Sequence, residues 1–181
     1  MEYAEYAHLK DRVQNLKQQY LPPVTIRPLT RGQEDDIRAL RVLVHAEIED
    51  FLEALCELLA VELGNKCKSQ PNTIYRIWGE TISSKCISIK NDNNGVKEKN
   101  IRNMFGPLGF GDSEFDKISS IFLSRMDTLG KDRGLVAHRS YIRATQGFNP
   151  KREDLFINEI MGYLYDFCKA VYWRRLLGFY N

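Results

Sequence analysis

The sequence predicts an all-α protein, a bundle of four to five helices with one irregular insertion between the second and third main helices, approximately residues 65–113. Three observations carry that expectation. Apolar residues recur at three- and four-residue spacings in four long segments. Convincing strands are nearly absent, and no internal repeat is visible. Finally, 181 residues with 43% hydrophobic and 28% charged content are enough for one good core and too few for two comfortable ones, so the whole chain, 1–181, reads as a single domain.

Tyr6, Leu9, Val13, Leu16 and Tyr20 mark the first helix by their spacing, and Leu21-Pro22-Pro23 stops it. A stronger pattern follows Gly32 and runs Ile37, Leu40, Val44, Ile48, Phe51, Leu55 and Leu58, with Gly64 as its expected stop. At roughly thirty residues such a helix would be about 45 Å long and would span the molecule. Residues 65–100 read as mixed: "SQPNTIYRIWGETISSKCISI" leans toward β-formers without alternation, and "KNDNNGVKEK" is a polar loop by composition. "KNIRNMFGPLGFG" holds one or two helical turns closed at Gly106-Pro107. Phe115, Ile118, Ile121, Phe122, Arg125, Met126 and Leu129 give a third face, interrupted by Gly130. Leu155, Ile157, Ile160, Met161, Leu164, Cys168 and Val171 give the last helix, with Pro150 and Asp154 suiting its start.

The net charge of +2 and pI near 8.3 do not announce a nucleic-acid binder. Local charge is more telling. Nine acidic residues lie between Gln33 and Glu62 against Arg38 and Arg41, whereas six Lys/Arg lie between Lys131 and Arg152 against Asp132 alone. Four cysteines without C-x-x-C spacing and three histidines make a structural zinc site an unpromising reading; Cys56 and Cys168 look like core thiols. The start "MEYAEYAHLKDR" has no apolar leader and no run approaches a membrane span, so the expected setting is the cytosol, with no membrane role.

The basic segment contains "LGKDRGLVAHRS", in which Arg133 and His138 stand five apart. On an ideal helix five residues turn about 500°, so the two positions point roughly 140° apart and cannot grip one atom from a single face. Either Gly130 and Gly134 break the helix so that the side chains converge, or the pair meets its copy from a second protomer. The residue types suit phosphodiester cleavage without a metal or other cofactor: an imidazole titrates near neutrality, and a guanidinium holds phosphate bidentately and offsets charge in the transition state. Spacing alone also suits an arginine paired with an acidic neighbour and a histidine packed at a helix end.

"RGLVAH", Arg133 to His138, resembles the R-x4-6-H motif of the HEPN superfamily, the higher eukaryote and prokaryote nucleotide-binding domains. "KNIRNMFGPLGF", then a helix, then "LGKDRGLVAHRS" looks like the RiboL-PSP type of HEPN, and "LRVLVHAEIEDFLEAL" is similar to that group's long second helix with an acidic residue just before an aromatic. The likeness covers roughly residues 35–65 and 99–175. It implies a HEPN-like all-α bundle, usually a homodimer with two motifs facing each other across one cleft. It further implies a metal-independent endoribonuclease, a toxin or antiphage-defence effector, with Arg133 and His138 as catalytic residues. An antitoxin or regulatory protein is the implied partner. One position departs: Gly134 stands where many HEPN nucleases place a polar residue, often Asn. The alternative within the family is a non-catalytic module that binds a nucleotide or a partner protein; outside it, a helical adaptor with no nucleic-acid role.

Supporting residues each carry two readings. Arg41, His45 and Glu49 share a stripe at i, i+4 and i+8; Glu49 could orient His138 or Arg133, or all three could form an intrahelical ion-pair ladder. Asp132 could tune Arg133 or cap a following helix. Lys131, Arg139 and Arg143, with Lys151 and Arg152, could track an RNA backbone or simply be solvated, and Tyr141 and Phe148 could stack bases or lie in the core. Trp173, Arg174 and Arg175 could pack a dimer or complete the last helix.

Overall fold

The apolar stripe of the first segment becomes α1 (Ala4–Tyr20), whose Leu9, Val13 and Leu16 are buried. The computed structural model describes residues 3–24, 28–138 and 148–177, without the side chains of 132–138 and 174–177. Among those residues the remaining elements are α2 (Arg31–Lys68), α3 (Thr73–Asn91), α4 (Glu98–Phe105), a 3-10 turn at Gly106–Leu108, α5 (Asp112–Ile118), α6 (Phe122–His138) and α7 (Pro150–Leu177). All are helical, as expected, and no described helix is long and apolar enough to cross a membrane.

α2 is the spine. Thr30 caps it through a reciprocal box, its hydroxyl accepting from Gln33 N at 3.3 Å while Gln33 Oε1 accepts from Thr30 N at 3.0 Å. It then runs through the expected stop at Gly64 for another turn. The reason lies in α3, which returns antiparallel along it. Gly64 admits Ser83, whose Oγ would lie 3.0 Å from an added Cβ, and Gly79 admits Cys67 so closely that a Cβ there would lie 2.1 Å from Cys67 Cβ. The glycines thus serve helix–helix approach rather than helix termination.

α3 is the main difference from expectation, because residues 65–113 are ordered into helices instead of an irregular insertion. Its buried or half-buried Gly79, Ile82, Cys86 and Ile89 do recur at three and four residues. Exposed Ile74, Tyr75, Ile77 and Trp78 on the solvent side blur that stripe in the sequence. A Gly79→Ala substitution should drive Cβ into Cys67 and separate α2 from α3. The expected cost is about 1–3 kcal/mol, read as a lower urea midpoint with unchanged helix content.

The aromatic residues of the second half converge on Phe167 of α7. Its ring lies 4.8 Å from Phe105, 5.7 Å from Phe110, 6.1 Å from Phe115 and 5.6 Å from Phe122, so one side chain holds α4, α5 and α6 together. The third apolar face of the sequence is in fact two helices. Ser119 adopts an extended conformation between α5 and α6, and the break falls there rather than at Gly130. α1 joins the other end: Tyr6 donates to the carbonyl of Met161 at 3.1 Å, and Tyr172 donates to Glu5. α7 starts with Asn149 as its cap, Oδ1 accepting from Arg152 N at 3.1 Å, while Asp154 pairs with Lys17 at 2.5 Å. The four cysteines are buried free thiols, and burial pushes Cys56 up to about 12 and Cys86 up to about 11.

Candidate functional site

α6 carries the motif, and its first three turns explain how it is held. Phe122, Leu123, Met126 and Leu129 face the core, and Asp127 Oδ1 accepts from the backbone N–H of Glu98 at 3.0 Å, tying α6 to the start of α4. The carboxyl of Asp127 is held below its usual range; burial opposes this, but the Glu98 amide and Lys131 outweigh it. One turn on, Gly130 receives Lys97, whose Cγ would lie 2.6 Å from an added Cβ.

The helix is continuous through Gly130 and Gly134 to His138. The expectation that these glycines break it is therefore corrected: tertiary packing on α2, α4 and α7 overrides their weak helix propensity. Arg133 and His138 both occupy α6, at positions roughly 140° apart around its axis. Asp132 also lies inside α6, so it cannot cap a following helix, and the capping reading is withdrawn. The side chains of Asp132, Arg133 and His138, and all of Arg139, Tyr141 and Arg143, lie outside the described residues.

Of the remaining basic residues, Lys131 is exposed and pairs with Asp127 at 3.2 Å, and Lys151 and Arg152 are exposed on the first turn of α7. Trp173 is exposed near the end of α7. Phe148 is half-buried and gripped by two cations, Arg38 at 5.0 Å and Arg41 at 5.1 Å from the ring centre.

The stripe of Arg41, His45 and Glu49 is not a simple ladder. Arg41 reaches across to α7, forming a two-pronged pair with buried Glu153 at 2.9 and 2.5 Å. His45 is buried with Nδ1 3.6 Å from Glu49 Oε2. Glu49 also lies at the edge of hydrogen bonding to Asn93 Nδ2, 3.5 Å away, and the same amide donates to Glu53 at 2.8 Å. Sequence reasoning missed the pairings to Glu153 and Asn93, since both partners come from distant parts of the chain. The available signal was an acidic residue on the inward side of the last amphipathic helix.

An all-α bundle built on one long second helix, with an arginine and a histidine five apart on the penultimate helix, defines a HEPN-type domain. The chain matches the RiboL-PSP-HEPN family over residues 4–172 and belongs to it. No curated protein and no solved structure matches the chain.

Proposed function

We propose that this HEPN protein is a metal-independent endoribonuclease that works as a homodimer, with Arg133 and His138 from each protomer lining one shared cleft. The observation that supports the reading best is the unbroken α6: two groups roughly 140° apart on one straight helix cannot act on one phosphate, whereas a two-fold axis beside that helix supplies one of each from either side. In this scheme an imidazole of His138 takes the proton of a ribose 2′-hydroxyl as its oxygen attacks the adjacent phosphorus. The bond to the 5′-oxygen breaks, that oxygen takes up a proton, and the products are a 2′,3′-cyclic phosphate and a 5′-hydroxyl. Arg133 binds the non-bridging oxygens and offsets the added charge in the transition state.

The substrate is single-stranded or structured RNA, and the family setting is a toxin or an antiphage-defence effector restrained by an antitoxin or regulatory protein. Lys131, Arg139 and Arg143 would track the RNA backbone, with Glu49 and Asp132 supporting the pair from behind. Under this reading RNA affinity should fall about ten-fold or more between 50 and 200 mM salt, as counterion release from a few phosphate contacts requires. Filter binding across that range checks it, and a flat response would remove the backbone track.

The deciding experiment is incubation of a mixed RNA pool with the dimeric protein in excess EDTA, followed by identification of the product ends. Cyclic phosphates and 5′-hydroxyls are expected. Intact RNA from a folded dimer would move the assignment to a module that binds a nucleotide or a partner protein without cleaving.

A further inference from the structure

The hairpin of α2 and α3 ends in a tip that the core does not cover. Gly79 sits against Cys67, so α3 begins beyond the last turn of α2, and every residue from 68 to 78 is exposed. On its first two turns Ile74 is 74% exposed, Tyr75 60%, and Ile77 and Trp78 58% each. Ile74, Ile77 and Trp78 stand at i, i+3 and i+4, one face of the helix, and Tyr75 lies one turn from Trp78. Contiguous apolar surface of this kind marks a binding surface, and Trp, Tyr and Arg are the residue types that dominate interface energies. Arg76, in the same stretch, is exposed and makes no side-chain hydrogen bond or ion pair among the described residues. Between residues 68 and 85 the charges are Lys68, Arg76 and Lys85 against Glu80, so the tip is cationic as well as apolar.

Farther back along α2, a groove of about 290 Å³ lies between that helix and the start of α1. Leu9 and Phe51 are its deepest residues, 2% and 4% exposed, with Ala4 and Ala54 beside them. Its polar residues are Glu5, Glu47 and Asp50, together with His8. Two of these carboxylates are engaged: Glu47 holds Arg12 at 2.7 Å, and Glu5 accepts from Tyr172. Asp50 is exposed and makes no hydrogen bond or ion pair among the described residues, so it is free to take an incoming cation.

We infer that the α3 tip of one molecule docks in the α1–α2 groove of a second copy, with Arg76 facing Asp50 and the apolar side chains of the tip entering over Leu9 and Phe51. Each surface supplies what the other lacks: a projecting apolar turn with a free cation meets an apolar recess with a free carboxylate. A tip cannot reach its own groove. Phe51 and Cys67 are sixteen residues apart on one helix, about 24 Å. The contact is therefore heterologous, and each molecule in it keeps a free tip on one side or a free groove on the other, so association continues into a ring or a filament. A tip of two helical turns buries less than the roughly 800 Å² per partner of a standard interface, which sets a weak contact populated at about 10–100 μM. Neither surface includes a residue of α6, so the assembly does not depend on the ribonuclease reading.

The test is sedimentation velocity of the full chain from about 1 to 200 μM. The average mass is expected to rise with concentration past that of a dimer. Arg76→Glu and Asp50→Lys, both at exposed positions without a described partner, should each leave the circular dichroism melt unchanged and abolish growth past the dimer. Mixed together, the two variants should associate again, because the groove of the first and the tip of the second are intact. Wild-type mass that never exceeds a dimer overturns the contact, as does growth that survives either substitution, or a mixture that stays apart. No growth, combined with wild-type but not Arg76→Glu protein co-sedimenting with phosphatidylserine vesicles, overturns it in favour of a membrane surface as the occupant of the tip. Because the readout is mass, an inactive nuclease and an absent contact give different results.

Discussion

His138→Ala is expected to lower RNA cleavage by about 10²- to 10⁴-fold while leaving the oligomeric mass and the melting temperature essentially unchanged. That range is what loss of a positioned proton-transfer group typically costs. Stability should survive because, among the described residues, Phe122, Leu123, Met126 and Leu129 already anchor α6 in the core. The measurement is single-turnover cleavage of one labelled RNA, with oligomeric mass and thermal melting recorded on the same samples. Arg133→Ala should give a comparable loss together with weaker RNA binding, since it removes a phosphate contact as well as transition-state stabilisation. A composite cleft makes a further demand. Mixing inactive His138→Ala with inactive Arg133→Ala protein should restore part of the activity, because some heterodimers then place one intact pair in the cleft. If His138→Ala cleaves like the wild type, the ribonuclease chemistry assigned here is wrong.

Glu153→Ala is the substitution expected to cost the most stability. Glu153 is 7% exposed and holds both prongs of the Arg41 guanidinium, whose side chain is itself only 19% exposed. Removing the carboxylate takes the two-pronged acceptor away from a largely buried cation, a loss of about 3 kcal/mol, at the lower end of the usual range because some water still reaches Arg41. For a chain of this size that corresponds to a fall of roughly 6–12 °C in melting temperature. Replacing both partners with methionine should recover much of the loss, since no charge is then left buried without its partner. A consequence for activity follows from position. Arg41 also grips Phe148, so α2 holds the chain just where it emerges from the motif-bearing segment into α7. Cleavage by Glu153→Ala should therefore decline even at temperatures where the protein remains helical. Circular dichroism melts and cleavage assays on the same preparation separate the two effects.

Much of this arrangement was legible in the sequence, and the exceptions have identifiable causes. α1, α2 and α7 bury regular stripes, and their apolar spacing locates them closely. α3 was hidden because Ile74, Ile77 and Trp78 face outward, so apolar residues occur on both sides of the helix and the period is lost. The glycines misled in a consistent direction. Gly64, Gly130 and Gly134, read as stops or breaks, all lie within helices, and Gly64 and Gly130, like Gly79, are sites where another chain segment comes close, something local propensity cannot express. At the candidate site, the residue pair and its spacing were readable. The pairings around it were not: Arg41 with Glu153 and Asn93 with Glu53 join residues far apart in the chain, and only the assembled core sets their distances.

The four-ring junction at Phe167 also imposes an order of events during synthesis. Phe105, Phe110, Phe115 and Phe122 all emerge before the residue that unites them, and so does every residue of α6. α1, α2 and α3 can form their antiparallel pairings early, but the motif-bearing helix has no α7 to rest on until roughly thirty more residues have been made, a few seconds at ordinary elongation rates. A nascent chain paused or truncated in that interval would carry Arg133 and His138 on a helix packed against α2 and α4 but not yet held by α7. Under the ribonuclease proposal, the motif would be fully seated only after α7 has emerged, which spares the message being translated.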